Sequence, residues 1–425
     1  MKRILSALEL IYSQIIKTGE FSSTNLKSSM ESVFESEGYR ENFDEPRNIL
    51  IIHDGGVGDL MMCSPAIKAI RNNFPNAKIT LVVYPRGKDL IDECPYVDQI
   101  IYNERKFDWR HLDELLRWDI DFADKLLPNR FDIAFCFCLY VSGILLAYMS
   151  GAKKIVGFEN DILCRVTLFD YRYLLPLVNF QCSSNFVGTH QVDMYLALVE
   201  KFLDKIIVDR DLEIWITEED IQTAKQILSK SDLSNDVLIS ISMGGTGNRK
   251  KYPPEKYARL AQKIFEEIPN AQFIILGGSV DAESSKIFMD RFDSDRVLDL
   301  TGQINFRVSA AILSMTSMYL GNDTSTMHIA SAVEIPCLTP NCFPARKKMN
   351  ARDIPIIARP YRVPSIIVQP EKPLSECVDV EDEFGCHLMN QTHCISQITV
   401  EKMFEGFLLL REKINRNDFT TTYIY

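Results

Sequence analysis

Short apolar runs alternate with amphipathic stretches along most of this chain. Asn48–His53 is a continuous apolar run closed by a Gly-rich turn, the pattern of a strand buried on both faces, as in a parallel sheet. The turn Asp54–Asp59 leads into a helical pattern over Leu60–Asn73, and after Phe74-Pro75-Asn76-Ala77 a second strand is expected at Ile79–Tyr84. This is a βαβ unit. Gln99–Tyr102, Asp132–Leu139 and Lys154–Phe158 read as further strands, with helical stretches at His111–Leu127 and Val141–Met149, so the first half is α/β. Residues 160–215 carry little pattern apart from His190–Phe202, where Val192, Tyr195, Leu196 and Val199 share a helical face. From Asp236 the alternation restarts with strands Val237–Ser242, Gln272–Leu276, Val297–Leu300 and Met318–Leu320. The helices Glu255–Ile268, Ala282–Phe292 and Phe306–Met315 lie between them, a second unit of Rossmann type. Thr399–Ile414 reads as a closing helix, with Thr399 placed to cap it.

Length and composition sharpen this picture. A chain of 425 residues is long for one core and fits two domains. Hydrophobic residues make up 46% and charged residues 25%, enough apolar material for both cores. The net charge of −11 disfavours broad attraction to nucleic acid, while leaving room for a small anion held locally. Eleven cysteines are scattered, several in apolar runs such as Phe135-Cys136-Phe137-Cys138, which fits free thiols in the cytoplasm. The N-terminal stretch Met1–Ile16 is too short and too interrupted for a signal peptide or a membrane span. It can form a helix whose face Leu5, Leu8, Ile11, Tyr12, Ile15 and Ile16 docks on the protein or touches the inner face of the cytoplasmic membrane.

Three Gly- or hydroxyl-bearing loops follow strands, where backbone amides and helix N-termini can meet an anion. The first is Gly55-Gly56-Val57-Gly58-Asp59. Counting G-x-G-x-x-G from Gly56 puts Met61 at the third glycine, which argues against a dinucleotide site. Asp59 can serve as a first-turn helix acid or as a general base at a cleft edge. The second, Gly244-Gly245-Thr246-Gly247-Asn248-Arg249-Lys250-Lys251-Tyr252-Pro253, mixes amides, a hydroxyl and three cations, as phosphate recognition requires, though a solvated basic loop has the same look. The third is Asn322-Asp323-Thr324-Ser325-Thr326-Met327-His328, which reads as a ligand-facing helix start or as a plain cap with a core histidine. Asp281 and Glu283, after Leu276-Gly277-Gly278, can accept ribose hydroxyls or merely occupy a helix's first turn. Cys377, Cys386, His387, His393 and Cys394 lack any C-x-x-C pair, so no metal site is expected there.

In this order the motifs resemble the ADP-heptose lipopolysaccharide heptosyltransferase family, glycosyltransferase family 9, over residues 48–103 and 236–344, with a looser resemblance at His190–Leu198 and from Cys394 to Thr399-Val400-Glu401. Val57-Gly58-Asp59, Ser64-Pro65 and Phe74-Pro75-Asn76-Ala77 stand where the family has Ile-Gly-Asp, Thr-Pro and Phe-Pro-x-Ala. Thr246 and Lys250-Lys251-Tyr252-Pro253 match its Thr and Lys-x-Trp-Pro, and Asn322–His328 matches Asn-Asp-Thr-Gly-x-x-His with Ser325 for glycine. The resemblance implies a GT-B fold, two Rossmann-like domains facing a central cleft. It divides the chain into a helical extension (1–46), an acceptor domain (47–215), a donor domain (216–345) and a Cys-containing segment with the closing helix (346–425). It implies inverting, metal-independent transfer of a sugar, ADP-heptose being the family's donor, from a nucleotide diphosphate to a glycan or lipid-linked hydroxyl. Asp59, set among Gly56 and Gly58, would be the base on the acceptor side. Gly245, Thr246, Lys250 and Lys251 would hold the diphosphate, Glu283 the ribose, and Asp323, Thr324, Ser325 and His328 the sugar, with Lys250 also stabilising the leaving group. Two alternatives share these motifs: a sugar-nucleotide epimerase or hydrolase, and a non-catalytic nucleotide-sugar-binding subunit.

Overall fold

In a computed structural model, the described residues are 45–104, 121–137, 141–158, 180–182, 188–231, 233, 237–245, 247–292, 296–345, 354–374 and 391–425. The N-terminal helix expectation, Thr246, Cys377, Cys386 and His387 lie outside them. The first sheet is built from β1 (Asn48–Ile52), β2 (Lys78–Val83), β3 (Gln99–Tyr102), β4 (Ile133–Cys136), β5 (Lys154–Phe158) and β6 (Phe180–Cys182). Its order is β3-β2-β1-β4-β5-β6, with every neighbouring pair parallel. Ile49 and Ile51 of β1 enter one core cluster and Leu50 and Ile52 another, so the strand is buried on both faces, as its unbroken apolar run predicts.

The helices of this half are α1 (Val57–Asn73), the short α2 (Lys88–Ile91), α3 (Val141–Met149) and α4 (Gln191–Leu203). Helix α1 runs through Pro65, which cannot donate to the Met61 carbonyl one turn back. The Ser64 hydroxyl donates to that carbonyl instead, at 2.8 Å, and accepts from the Glu213 amide at 3.0 Å. A Ser-Pro pair can therefore sit inside a continuous helix and also anchor the segment that leads to the second half.

The second half opens with α5 (Glu218–Ser229), a helix the apolar pattern did not mark, started by a capping box between Thr217 and Asp220. Its sheet comprises β7 (Val237–Ser242), β8 (Ala271–Ile275), β9 (Val297–Asp299), β10 (Met318–Gly321), β11 (Cys337–Pro340), β12 (Ser365–Val368) and β13 (Thr421–Ile424). They lie in the order β13-β12-β11-β10-β7-β8-β9, again all parallel. Between them run α6 (Pro254–Glu267), α7 (Ala282–Met289), α8 (Phe306–Leu313) and α9 (Ser325–Ala332). Residues 346–425, set apart in the sequence as a C-terminal segment, supply β12, β13 and α10 (Val400–Asn415) to this sheet. Thr399 caps α10, its hydroxyl accepting from the Lys402 amide at 3.1 Å. Gly406 lets α10 lie close on β11 and β12, since a Cβ there would sit 2.9 Å from Leu338 Cδ1.

The two halves share a core. Met61 of α1 and Leu90 of α2 belong to the same buried cluster as Met327, Ile329 and Ala330 of α9 and Val308 of α8. Polar ties flank it: the Phe306 amide donates to Asp89 at 2.6 Å, and Arg307 reaches both the Asp89 carbonyl at 2.8 Å and Asp220 at 2.9 Å.

Candidate active site

In each sheet the strand order reverses beside the first strand of its half, β1 next to β4 and β7 next to β10. Open α/β sheets bind ligands outside the carboxyl ends of strands at such reversals. Three loops converge there. Asn322, fully buried just after β10, fastens two of them: its amide donates to the carbonyls of Met243 and Gly244, both at 2.8 Å, and its oxygen accepts from the Tyr252 amide at 3.1 Å and the Tyr257 hydroxyl at 2.8 Å. The cationic loop is thus held against the start of α9 by a satisfied asparagine.

Lys250 points at Asp323, with Nζ 2.7 Å from Oδ2. Burial works against both charges but the pair outweighs it, holding the ammonium above the ordinary lysine range and the carboxyl below the ordinary aspartate range. His328 Nε2 lies 4.0 Å from Asp323 Oδ1, and its Nδ1 is buried with no hydrogen-bond partner. Burial lowers the His328 pKa, with Asp323 and Asp59 opposing. The ring is therefore neutral near pH 7. Thr324 and Ser325 are half-buried at the mouth, at the N-terminal end of α9.

The facing wall comes from the first half. Gly58 is packed on His328, since a Cβ there would fall 2.6 Å from the ring's Cδ2. Asp59 does cap α1, as its Oδ2 accepts from the exposed Gly56 amide at 2.8 Å. Capping leaves Oδ1, which accepts from Gln191 at 2.9 Å. Beneath it His53 is buried, its Nε2 without a hydrogen-bond partner and its pKa lowered by burial to about 4 against the pull of Asp59. The sequence gives no role to Gln191 or His53, although Gln191 falls in the His190–Leu198 stretch of looser family resemblance. His53 closes the first strand and was legible as a polar end to an apolar run, but no local signal ties Gln191 to Asp59.

Lys251 lies 3.9 Å from Asp281, and Gly245 packs against the side chains of both lysines. Of the two acids after β8, the structure turns Asp281 inward, so that a Cβ on Gly244 would run into its carboxylate, and leaves Glu283 exposed on the first turn of α7. Asp281 also caps its own turn through the Gly278 amide at 3.1 Å, while its Oδ1 is buried without a hydrogen bond. Asp281 closes the short turn that precedes α7 whereas Glu283 stands on the first turn of the helix itself, so the two carboxylates point in different directions. No group of three or more His, Cys, Asp or Glu residues that could hold a metal occurs among the described residues. His393 and Cys394 are buried, Nδ1 3.2 Å from Sγ.

The family model of glycosyltransferase family 9 (heptosyltransferase) matches residues 120–340, more than half the chain. The chain belongs to glycosyltransferase family 9. It is a glycosyltransferase, and its two facing Rossmann sheets form the GT-B architecture. Among relatives, it is 21% identical over 296 residues to lipopolysaccharide heptosyltransferase 2 of Salmonella typhimurium, covering 68% of this chain and 80% of that one. Over 311 residues it is 25% identical to lipooligosaccharide heptosyltransferase 2 of Haemophilus influenzae, covering 68% and 82%. Of solved structures, the family 9 glycosyltransferase of Veillonella parvula superposes with a TM-score of 0.66 at 18% identity, over 86% of this chain and 98% of that one. The ADP-heptose lipopolysaccharide heptosyltransferase II of E. coli gives 0.62 at 18% identity, over 87% and 99%. The family 9 match begins at residue 120, so the Asp59 loop lies outside the matched stretch and rests on the fold and the geometry above. Among the described residues no helix is long and apolar enough to cross a membrane.

Proposed function

We propose that this family 9 enzyme transfers a sugar from a nucleotide diphosphate sugar to a hydroxyl of a lipopolysaccharide-type acceptor, with inversion and without a metal. The observation that carries the reading is the Lys250–Asp323 pair at the start of α9, set across from Asp59 through the packing of Gly58 on His328. The names of the relatives point to ADP-heptose as the donor. In this reading residues 47–215 receive the acceptor and the second sheet holds the donor.

The acceptor oxygen attacks the anomeric carbon from the side facing Asp59, which takes the hydroxyl proton. The bond from that carbon to the β-phosphate oxygen breaks, and its electron pair leaves with the nucleoside diphosphate. Lys250, Thr246, Lys251 and the amides around Gly245 stabilise that charge, as preorganised donors do where charge develops. Asp281 takes the ribose role in place of Glu283. Asp323, Thr324, Ser325 and His328 orient the sugar, a neutral histidine being able to donate or accept a hydrogen bond without adding charge. A donor diphosphate competes with Asp323 for the Lys250 ammonium. Cys63, Cys94, Cys136 and Cys337 are buried free thiols, in keeping with a cytoplasmic site of action.

Thermal shifts with ADP, UDP, GDP and CMP in the presence of EDTA test the donor half. A nucleotide at about 100 times its dissociation constant stabilises by ~2.7 kcal/mol. Stabilisation by one diphosphate under chelation is expected, and identical melting with all four sinks the donor assignment. Incubation with ADP-heptose and a heptose-deficient lipopolysaccharide, followed by mass spectrometry, tests transfer. Conversion of the donor with no acceptor present would instead favour an epimerase or hydrolase.

A further inference from the structure

Asp59 carries two hydrogen bonds of different origin. The bond from Gly56 is local, three residues away and part of the helix cap. The bond from Gln191 comes 132 residues along the chain, from the first turn of α4. Gln191 is buried, and its amide nitrogen also donates to the Tyr195 hydroxyl at 2.6 Å. Both amide hydrogens are therefore committed, and the carboxamide cannot turn away from Asp59 without losing a buried bond. Tyr195 is itself immobilised in the core, edge-on to Phe137 at 5.4 Å between ring centroids.

We infer that Gln191 is a positioning residue that orients the Asp59 carboxylate toward the acceptor hydroxyl. The inference rests on the reading of Asp59 as the base. The residue type suits the task. A neutral amide fixes the rotation of the carboxylate while leaving it basic, whereas a cation at the same place would stabilise the charged form and weaken it as a proton acceptor. Gln191 is in turn set by the junction between the halves. His190, the residue before it, caps α4 through Nδ1 and donates from Nε2 to the Arg359 carbonyl at 2.9 Å, its ring against Tyr361. The Tyr361 amide donates to Ser331 at 3.3 Å, one turn beyond His328. The titratable groups facing Asp59 are His53 after β1, Cys63 on α1, Tyr195 on α4 and His328 on α9.

The test uses Gln191→Leu and Gln191→Glu in the full chain. In the transfer assay kcat should fall roughly tenfold in Gln191→Leu with donor KM unchanged, the signature of an interaction that serves the transition state. It should fall further in Gln191→Glu, where two carboxylates face each other. If either variant does not fold, Tyr195→Phe, which frees the second amide hydrogen and leaves Gln191 in place, should give a smaller loss of kcat at the parental donor KM. Parental kcat in these variants, alongside an inactive Asp59→Asn, overturns the role of Gln191 alone. Parental transfer by Asp59→Asn removes the base assignment and the inference with it.

Discussion

Asp59 and Lys250 make different contributions, and single substitutions separate them. Asp59→Asn keeps an acceptor for the Gly56 amide but cannot take a proton. Turnover should fall by at least ~10²-fold with nucleotide affinity intact, read by mass spectrometry and calorimetry. Lys250→Met should weaken nucleotide binding about tenfold or more, since a charge-assisted contact is worth ~1.5–3 kcal/mol. It should also lower stability, because it strands the buried Asp323 carboxylate, and Lys250→Met with Asp323→Asn should recover the stability but not the affinity. The buried histidines set a pH response. His53 and His190 have pKa values lowered by burial to about 4 and about 3, from an ordinary value near 6.5. Below pH ~6.5 the unfolded chain binds protons that the native state refuses, so stability is full above that pH and falls as pH drops toward 4. Each such histidine contributes a slope of up to ~1.4 kcal/mol per pH unit. His190→Asn, which retains a helix-capping oxygen, should reduce that slope by one histidine's share in denaturant titrations between pH 6 and 4.5.

Helix α1 shows how one element serves packing and chemistry together. Its Ser64 hydroxyl satisfies the carbonyl that Pro65 leaves open, so Ser64→Ala should cost ~1–3 kcal/mol through a buried unpaired acceptor. The denaturant midpoint should fall with an unchanged m-value. At its other end Gly58 admits His328 of α9 at a distance no Cβ allows. Gly58→Ala should force the helices apart at ~1–3 kcal/mol and, by shifting Asp59 one residue along, lower transfer more than nucleotide affinity. Normal transfer by a destabilised Gly58→Ala would detach the helix spacing from the chemistry.

On the scale of the molecule, the halves are joined by the shared cluster around Met61 and Met327 and by the ties from Asp89 and Arg307. Arg307 links α8 to both α5 and the first half. Arg307→Met should therefore loosen the junction, and calorimetry should resolve two unfolding transitions where the parent shows one. A single, merely lowered transition would mean the apolar cluster alone couples the domains.

The alternation of elements, the two Rossmann-type halves and the loops that carry the candidate chemistry are all legible in the amino-acid sequence. Buried parallel strands such as Asn48–Ile52 and capped helices such as the one after Thr399 announce themselves through local composition. The four-residue strands β11, β12 and β13 did not: runs that short have no period of their own, and they lack the regular strand-and-helix alternation that marks the equally short β3, β4 and β10. The capping box at Thr217 was the available signal for α5. Within the site, Asp59, Lys250 and Asp323 were legible as motif residues, whereas their partners were not. That Asp281 rather than Glu283 faces the loop, that Lys250 rests on Asp323, and that Gln191 holds Asp59 depend on the short turn before α7 and on contacts across 73 and 132 residues. Such contacts leave no spacing in the chain, because they form only when two sheets and their helices pack against each other.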